Sequence, residues 1–236
     1  MSAALFLVDA LPAGDTYILD GPEGRHAETV QRLRVGEALI LADGRGATAA
    51  ATVTATGKGS LDLRLGARSS VPAADPAITV VQGIAKGDRG ELAVQAMTEV
   101  GVDTIVPWQA ARSIAKWKDD RPLERWRATA REAAKQARRA WLPAVEPAVT
   151  TRALVARCGA ALVLHADADV RLSTVDLPAT GEILLVVGPV GGIADEEIAL
   201  LRDAGATPVR LGRTVLRTST AGVAAIAALA VRLGRW

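Results

Sequence analysis

The residues best suited to chemistry lie in one short segment, residues 211–221, near the end of the 236-residue chain. Its sequence, LGRTVLRTSTA, places Arg217 beside the hydroxyls of Thr218 and Ser219, directly before an Ala-rich apolar stretch. A helix that begins here presents hydroxyls and free backbone N–H groups at its N-terminus, where electron-rich groups bind. Helix capping is the other interpretation, but a cap needs only one Ser or Thr and does not need Arg217.

A glycine-rich segment, GPVGG at residues 188–192, follows an apolar run and precedes an acidic stretch. Glycine permits positive φ and lets the backbone approach a ligand closely. The segment matches neither the GxGxxG dinucleotide fingerprint nor a P-loop, which needs GK[ST]. A plain β–α turn and a ligand-binding loop therefore both remain open for it.

Strands and helices that alternate from residue 77 onward must position these two loops. Apolar runs predict strands at residues 78–84, 104–107, 161–165, 183–187 and 208–211. Helical patterns cover residues 88–100, 122–141, 195–204 and 218–233, and Leu92 and Met97 are expected on the inner face of the first of them. The alternation predicts an α/β domain with a mostly parallel sheet. Ligands bind such sheets at the carboxyl ends of the strands, where both loops should lie.

Residues 1–70 have a different pattern, in which short apolar segments alternate with Gly-rich turns. This pattern is typical of a small β-barrel, here with one short helix. The Pro/Ala-rich stretch VPAADP at residues 71–76 is the predicted linker. The expected domains are therefore 1–70 and 77–236.

Charge is unevenly distributed. Residues 112–139 contain ten Lys or Arg against four Asp or Glu, a net charge of +6 in a chain whose total is +2. On the helix predicted at 122–141, Arg127, Arg131, Lys135 and Arg138 form a stripe. Such a surface suits a polyanion such as nucleic acid, although a merely solvated helix face fits the charges equally well.

Composition excludes several classes of protein. No apolar run reaches the roughly 18–20 residues of a membrane span, and the N-terminus lacks the basic start of a signal peptide. One cysteine, Cys158, excludes an internal disulfide and is typical of the reducing cytoplasm. Without a CxxC or HExxH spacing, no metal site is expected.

Taken together, GPVGGIADEE and LGRTVLRTSTA resemble the C-terminal signature of SPOUT-class methyltransferases. The nearest match is the RsmE-type family, which methylates N3 of a uridine in 16S ribosomal RNA. The resemblance covers the whole chain, because the segments around Arg25-His26, 31–37 and Asp43-Gly44 resemble that family's PUA-like RNA-binding barrel. Residues 85–89 and 99–102 resemble its first helix, and residues 133–139 its basic helix.

The resemblance implies an N-terminal PUA-like β-barrel and a C-terminal SPOUT domain closed by a deep trefoil knot. It also implies an enzyme that uses S-adenosyl-L-methionine as cofactor, forms a homodimer and acts on 16S rRNA or the small ribosomal subunit. By position, the residues that would bind the cofactor are Leu164, His165, Gly188, Gly192, Leu211, Gly212, Leu216, Thr218, Ser219 and Ala221.

Methylation at N3 requires the uracil ring to lose a proton, so the protein must stabilise the anionic base. Arg217 is the candidate catalytic residue for this role, and its pairing with a nearby acid or a phosphate is the alternative. Among the tryptophans, Trp117 is the candidate for stacking on a base. The candidate RNA-binding residues are Arg25, His26, Arg32, Arg34, Arg112, Arg131, Lys135, Arg138 and Arg139.

The chain departs from the family pattern at one position. Val190 stands where the family has Glu, so that GPEGG is GPVGG here. The change removes a carboxylate that could contact the cofactor, the substrate or a partner subunit. The alternative function is therefore a SPOUT-like module that binds cofactor or RNA with impaired or altered methyl transfer.

Overall fold

The computed structural model describes residues 3–236. The chain forms two compact units, one of Met1–Ala73 with Ala134–Leu142 and one of Ala74–Ala133 with Pro143–Trp236. The first boundary between the units lies after residue 73. Residues 134–142 pack with the first unit, whereas the sequence predicted that they belong to the second domain. No helix within residues 3–236 has the length and apolar character needed to cross a membrane.

The first unit contains a five-stranded sheet with the order β1-β3-β4-β5-β2. Its strands are β1 (Ala4–Leu7), β2 (Thr16–Leu19), β3 (Ala38–Ala42), β4 (Ala47–Gly57) and β5 (Ser60–Ser70). The β1–β3 pair is parallel and the others are antiparallel. Side chains alternate between the two faces of a strand, so Leu61, Leu63 and Leu65 all point into the core. The predicted short helix is α1 (Gly21–Arg25), which continues into a π-helical turn, His26–Val30.

The second unit is built on a seven-stranded sheet with the order β12-β10-β11-β6-β7-β8, in which β9 also pairs with β7. Every strand pair described in this sheet is parallel. Its strands are β6 (Ala77–Gly83), β7 (Thr104–Gln109), β8 (Ala144–Val145), β9 (Val149–Thr150), β10 (Leu162–Leu164), β11 (Glu182–Val187) and β12 (Thr207–Val209). The helices are α2 (Arg89–Glu99), α3 (Arg121–Gln136), α4 (Thr151–Val155), α5 (Asp195–Asp203) and α6 (Thr218–Arg232), and the last three residues of α3, 134–136, belong to the first unit.

The α/β class and the five longer strands of this sheet are confirmed. Strands β8 and β9 and helix α4 were not predicted, because elements of two to five residues are too short to show a hydrophobic period. The trefoil knot implied by the resemblance stays a prediction.

The inner face of α2 differs from the predicted one. Met97 is buried as expected, but Leu92 is 52% exposed, and Ala93 and Val94 face the core instead. The reason is the close contact at Gly90, where an added Cβ would lie 2.9 Å from the Trp126 ring. This contact turns the glycine toward α3 and rotates Leu92 into solvent.

Helix α3 ends earlier than predicted, at Gln136 rather than residue 141. Arg138 takes a left-handed conformation with φ of 53°, and the Arg139 N–H donates to Ala134 O at 2.9 Å. This pair of features terminates a helix in the same way as the usual glycine motif. The residues that follow lie against the first sheet, where the Trp141 indole donates to Val71 O at 2.8 Å.

The prediction that Lys135 lies on a solvent-exposed basic stripe is wrong. Its side chain is 6% exposed, and its Nζ lies 3.1 Å from the Glu23 carboxylate in the first unit. A buried charge is stabilised only by such pairing, so this lysine serves the packing of residues 134–142 rather than a charged surface.

Gly83, the last residue of β6, is expected to tolerate no side chain. A Cβ there would lie 2.7 Å from Gly188 C and closer still to Pro189 N, and both are backbone atoms with little freedom to move. We expect Gly83→Ala to lower the free energy of unfolding by about 2–3 kcal/mol, measured by urea denaturation. Gly222→Ala in α6 is the control, because its Cβ would come closest to the flexible Met97 side chain, at 2.8 Å, and would meet no backbone atom of another element within 3.6 Å. Helix propensity, about 1 kcal/mol in favour of Ala, offsets that contact. Equal effects of the two substitutions would contradict this explanation.

Cys158 is expected to be chemically inert in the folded protein. Its side chain is buried, and burial raises the pKa of the thiol from 9.0 to about 11. The thiol therefore stays protonated at pH 8, where the thiolate is the reactive form. We expect no reaction of the native protein with dithionitrobenzoate at pH 8 and one equivalent after unfolding in urea. Because the folded state holds the proton more tightly, the contribution of Cys158 to stability is present below pH 9 and is lost as the pH rises toward 11.

Candidate active site

A cavity of about 740 Å³ lies in the second unit at the carboxyl ends of three strands of the sheet. Leu164, Val187 and Val209, the last residues of β10, β11 and β12, line it together with the residues that follow each strand. This volume is typical of small-molecule sites, which span about 300–1,000 Å³. The two loops that the sequence singled out, 188–192 and 211–217, thus meet in one cavity, as the parallel sheet requires.

The structure brings most of the predicted site residues together. The residues of the predicted cofactor set that line the cavity are Leu164, His165, Gly188, Gly192, Leu211, Gly212, Leu216, Thr218 and Ala221. Ser219 does not line it and is buried in the first turn of α6. Arg217 and Arg112, predicted as the catalytic residue and an RNA contact, also line the cavity. Their roles and those of the cofactor set stay predictions.

Four charged lining residues were missed, namely Arg89, Asp167, Asp195 and Arg210. Each lies shortly after a strand of the sheet or at the start of a helix that follows one. These residues could therefore have been found in the sequence from their positions after predicted strands, at the carboxyl edge of the sheet.

Steric requirements at its glycines set the shape of the 188–192 loop. A Cβ on Gly188 would lie 2.8 Å from the Ile193 side chain, and Gly192 has a φ of 73°, which favours glycine. Between them, Val190 is 49% exposed and lines the cavity, so the wall is apolar where the family pattern has a carboxylate.

A relay of buried hydrogen bonds connects the two loops to β6. Gln82 is fully buried and donates from Nε2 to Thr218 Oγ1 at 2.9 Å. Thr218 Oγ1 in turn donates to Gly188 O at 2.7 Å. The residue at the N-cap of α6 is Arg217, and no side chain caps the helix. The capping interpretation therefore does not hold for Thr218, whose hydroxyl holds the glycine loop instead.

Arg217 is exposed, and within residues 3–236 it forms no ion pair, so pairing with a nearby acid is not observed. Its backbone is extended, with φ of −71° and ψ of 155°, at the point where the loop enters α6. Its guanidinium can donate hydrogen bonds to an electron-rich group in the cavity. The acids Asp167 and Asp195 line the same cavity, so its walls carry both signs of charge.

The other predicted RNA contacts have varied surroundings. Arg25, Arg32 and Arg34 of the first unit are exposed. His26 is half-buried, with its ring edge-on to Phe6 at 6.2 Å. Arg138 is also exposed, whereas Arg131 and Arg139 are half-buried.

Trp117 is less available for stacking than predicted. Its ring is partly buried and packs edge-to-face on Trp126, with centroids 5.1 Å apart.

Two family models match the chain. The model described as an RNA methyltransferase domain covers residues 73–230, and one described as an RNA methyltransferase PUA domain covers residues 19–66. A relative from Mycobacterium bovis, named ribosomal RNA small subunit methyltransferase E, is 48% identical over 100% of this chain and 94% of its own length.

Solved structures agree with the sequence relatives. The ribosomal RNA small subunit methyltransferase E from Neisseria gonorrhoeae, bound to S-adenosyl methionine, has a TM-score of 0.89 at 29% identity, covering 98% of each chain. A Legionella pneumophila methyltransferase in complex with the same cofactor has a TM-score of 0.86 at 27% identity, again covering 98% of each chain. With a family model over residues 73–230 and a full-length relative at 48% identity, the chain belongs to the ribosomal RNA small subunit methyltransferase E family of RNA methyltransferases.

Proposed function

We propose that this chain transfers a methyl group from S-adenosyl-L-methionine to N3 of a uridine in the 16S rRNA of the small ribosomal subunit, in the cytoplasm. The observation that carries the proposal is the cavity in which the two loops of the family signature, 188–192 and 211–217, meet at the carboxyl edge of the sheet.

The cavity fits S-adenosyl-L-methionine in size and in chemistry. Its volume of about 740 Å³ suits a ligand of this size, and the glycine loop presents backbone where Gly188 has no room for a side chain. Leu164, Leu211 and Leu216 supply apolar wall for an adenine ring, while backbone N–H and C=O groups of both loops supply polar contacts. When bound, the cofactor supplies a methyl group activated by its sulfonium charge.

The chain's own residues must prepare the base. The N3 proton has to leave, and negative charge then spreads over the two uracil carbonyl oxygens. Arg217 at the cavity can donate to such an oxygen and so stabilise the anionic base. His165, Asp167 and Asp195 line the same cavity and have side chains able to accept a proton.

A homodimer is part of the proposal, because α6 is apolar nearly all round. Ala225, Ile226 and Leu229 fill the core, yet Val223 and Ala227 on other faces are only half-buried, and Val231 is 63% exposed. A helix that is apolar on every face is normally covered on every face. A second copy of this chain is the proposed cover.

RNA is held, in this proposal, mainly through its phosphates. The exposed Arg25, Arg32 and Arg34 of the first unit and Arg112 at the cavity are the cations best placed for such contacts.

The direct test is tritium transfer from labelled S-adenosyl-L-methionine to small ribosomal subunits that lack this modification, followed by nucleoside analysis. We expect label in 3-methyluridine. Cofactor binding by calorimetry without any transferred label would instead support the alternative of a binding module. In that event, Val190→Glu, which restores the carboxylate of the family pattern, would be the variant to examine for recovered transfer.

Arg217→Ala is expected to lower kcat by about 100-fold or more, which is typical of removing one donor from a developing oxyanion. The affinity for the cofactor, measured by calorimetry, should change little, because backbone groups supply most of that recognition in the proposal. Arg213→Ala is the matched control, since Arg213 is an exposed arginine of the same loop that does not line the cavity. Full activity of a folded Arg217→Ala variant would remove this residue from the mechanism.

A further inference from the structure

The buried carboxylate of Glu197 lies outside the cavity but holds one of its walls. Glu197 is 5% exposed, and its Oε1 accepts hydrogen bonds from Ala111 N at 2.9 Å and from Thr151 Oγ1 at 2.5 Å. Thr151 Oγ1 accepts in turn from the indole of the fully buried Trp108 at 3.2 Å. The carboxylate therefore ties the loop after β7 to the starts of α4 and α5.

Helix capping is a minor part of what this carboxylate does. Glu197 lies in the first turn of α5, and its Oε2 accepts from Ala194 N at the long distance of 3.4 Å. The shorter bonds come from two distant segments, from Ala111 N, 86 residues away in sequence, and from Thr151 Oγ1, 46 residues away. The loop it holds is also closed internally by Ser113 N–H donating to Ala110 O at 3.0 Å.

Arg112 is the next residue along this loop, and it lies across the glycine turn of the cavity. A Cβ on Gly191 would lie 3.2 Å from both Cβ and O of Arg112, so only glycine allows this approach without a shift. Arg112 Nη1 lies 3.4 Å from Ile193 O on the far side of the turn. Glu197 therefore holds the backbone of this loop at Ala111, and the Arg112 side chain packs along the glycine turn.

The Arg112 side chain lies against the turn, and no acid among residues 3–236 neutralises its guanidinium. Arg112 is exposed, lines the cavity and forms no ion pair within residues 3–236. A pre-positioned, unpaired guanidinium at the rim of a cavity suits the planar oxygens of a phosphate. Holding such a side chain before binding reduces the entropy that ordering it would otherwise cost.

We propose that Glu197 is a positioning residue that holds Arg112 across the 188–192 turn, so that its guanidinium binds a phosphate of the RNA strand at the mouth of the cavity. The inference rests on the proposed function, because it assigns the RNA contact of that same site.

The test compares Glu197→Gln with Glu196→Gln, which removes the same charge from the same turn of α5 at an exposed position without touching the 110–113 loop. With unmodified small ribosomal subunits, we expect Glu197→Gln to raise KM by about 3- to 10-fold with kcat within about twofold, because an amide has one acceptor oxygen and its NH2 group must face either Ala111 N and Thr151 Oγ1 or Ala194 N. We also expect the slope of log affinity against log salt to fall by about one, as for the loss of one phosphate contact. Glu196→Gln should match the wild type, and cofactor affinity by calorimetry should be unchanged in both.

A double variant separates positioning from simple destabilisation. Arg112→Ala should reproduce the changes in KM and salt slope, and adding Glu197→Gln to it should change neither further. Additive effects, or a Glu197→Gln variant with a lower melting temperature but wild-type KM and salt slope, would overturn the proposal. If Glu197→Gln does not fold, Glu197→Asp retains the charge and withdraws it from Ala111 N, and the same outcomes apply.

Filter binding of a 16S rRNA transcript gives the same comparison without turnover. A wild-type protein that binds this RNA with the expected salt slope but transfers no methyl group would contradict the proposed function alone. Unchanged binding and salt slope in Arg112→Ala would contradict the role of Arg112 and with it the present inference, and would leave the proposed methyl transfer unaffected.

Discussion

The end of β6 and the glycine loop approach each other so closely that no side-chain atom fits between them. Gly83 meets the peptide of Gly188 and Pro189 directly, and the neighbouring Gln82 reaches across to Thr218, whose hydroxyl holds Gly188 O. Three segments that are far apart in the sequence are thereby held at one point. This contact fixes the positions of the cavity walls. The loop 188–192 begins at it, and the loop 211–217 ends at it, next to Thr218.

Buried polar groups then determine how the surrounding loops are held. Neither Gln82 nor Glu197 lines the cavity, but each side chain connects segments that are far apart in the sequence. A buried amide or carboxylate is costly without partners, so such networks favour one arrangement over its neighbours. The cavity is lined by the backbone of both loops and by two exposed arginines, Arg112 and Arg217, which form no ion pair with any group of residues 3–236.

The wrong predictions for individual side chains have a common cause. The hydrophobic period of a helix shows which residues share a face, but it does not show which neighbouring element packs against that face. Leu92 has the spacing of an inner residue but lies in solvent, because Gly90 lets α2 approach Trp126. Lys135 has the spacing of a charged stripe but is buried against Glu23. Helix α3 ends at Gln136 because Arg138 turns into a left-handed conformation, for which arginine gives no warning.

The sequence by itself determined the family, the α/β class and the two loops of the site. Glycines, hydroxyls and alternating apolar runs are local features, and each can be recognised within a short segment of the chain. Nine of the ten residues expected at the cofactor line the cavity for that reason. The tertiary structure alone decided which charges face solvent and which segments Gln82 and Glu197 hold together. These are contacts between residues 46 to 136 positions apart, and no local pattern encodes the partner of a side chain at such a distance.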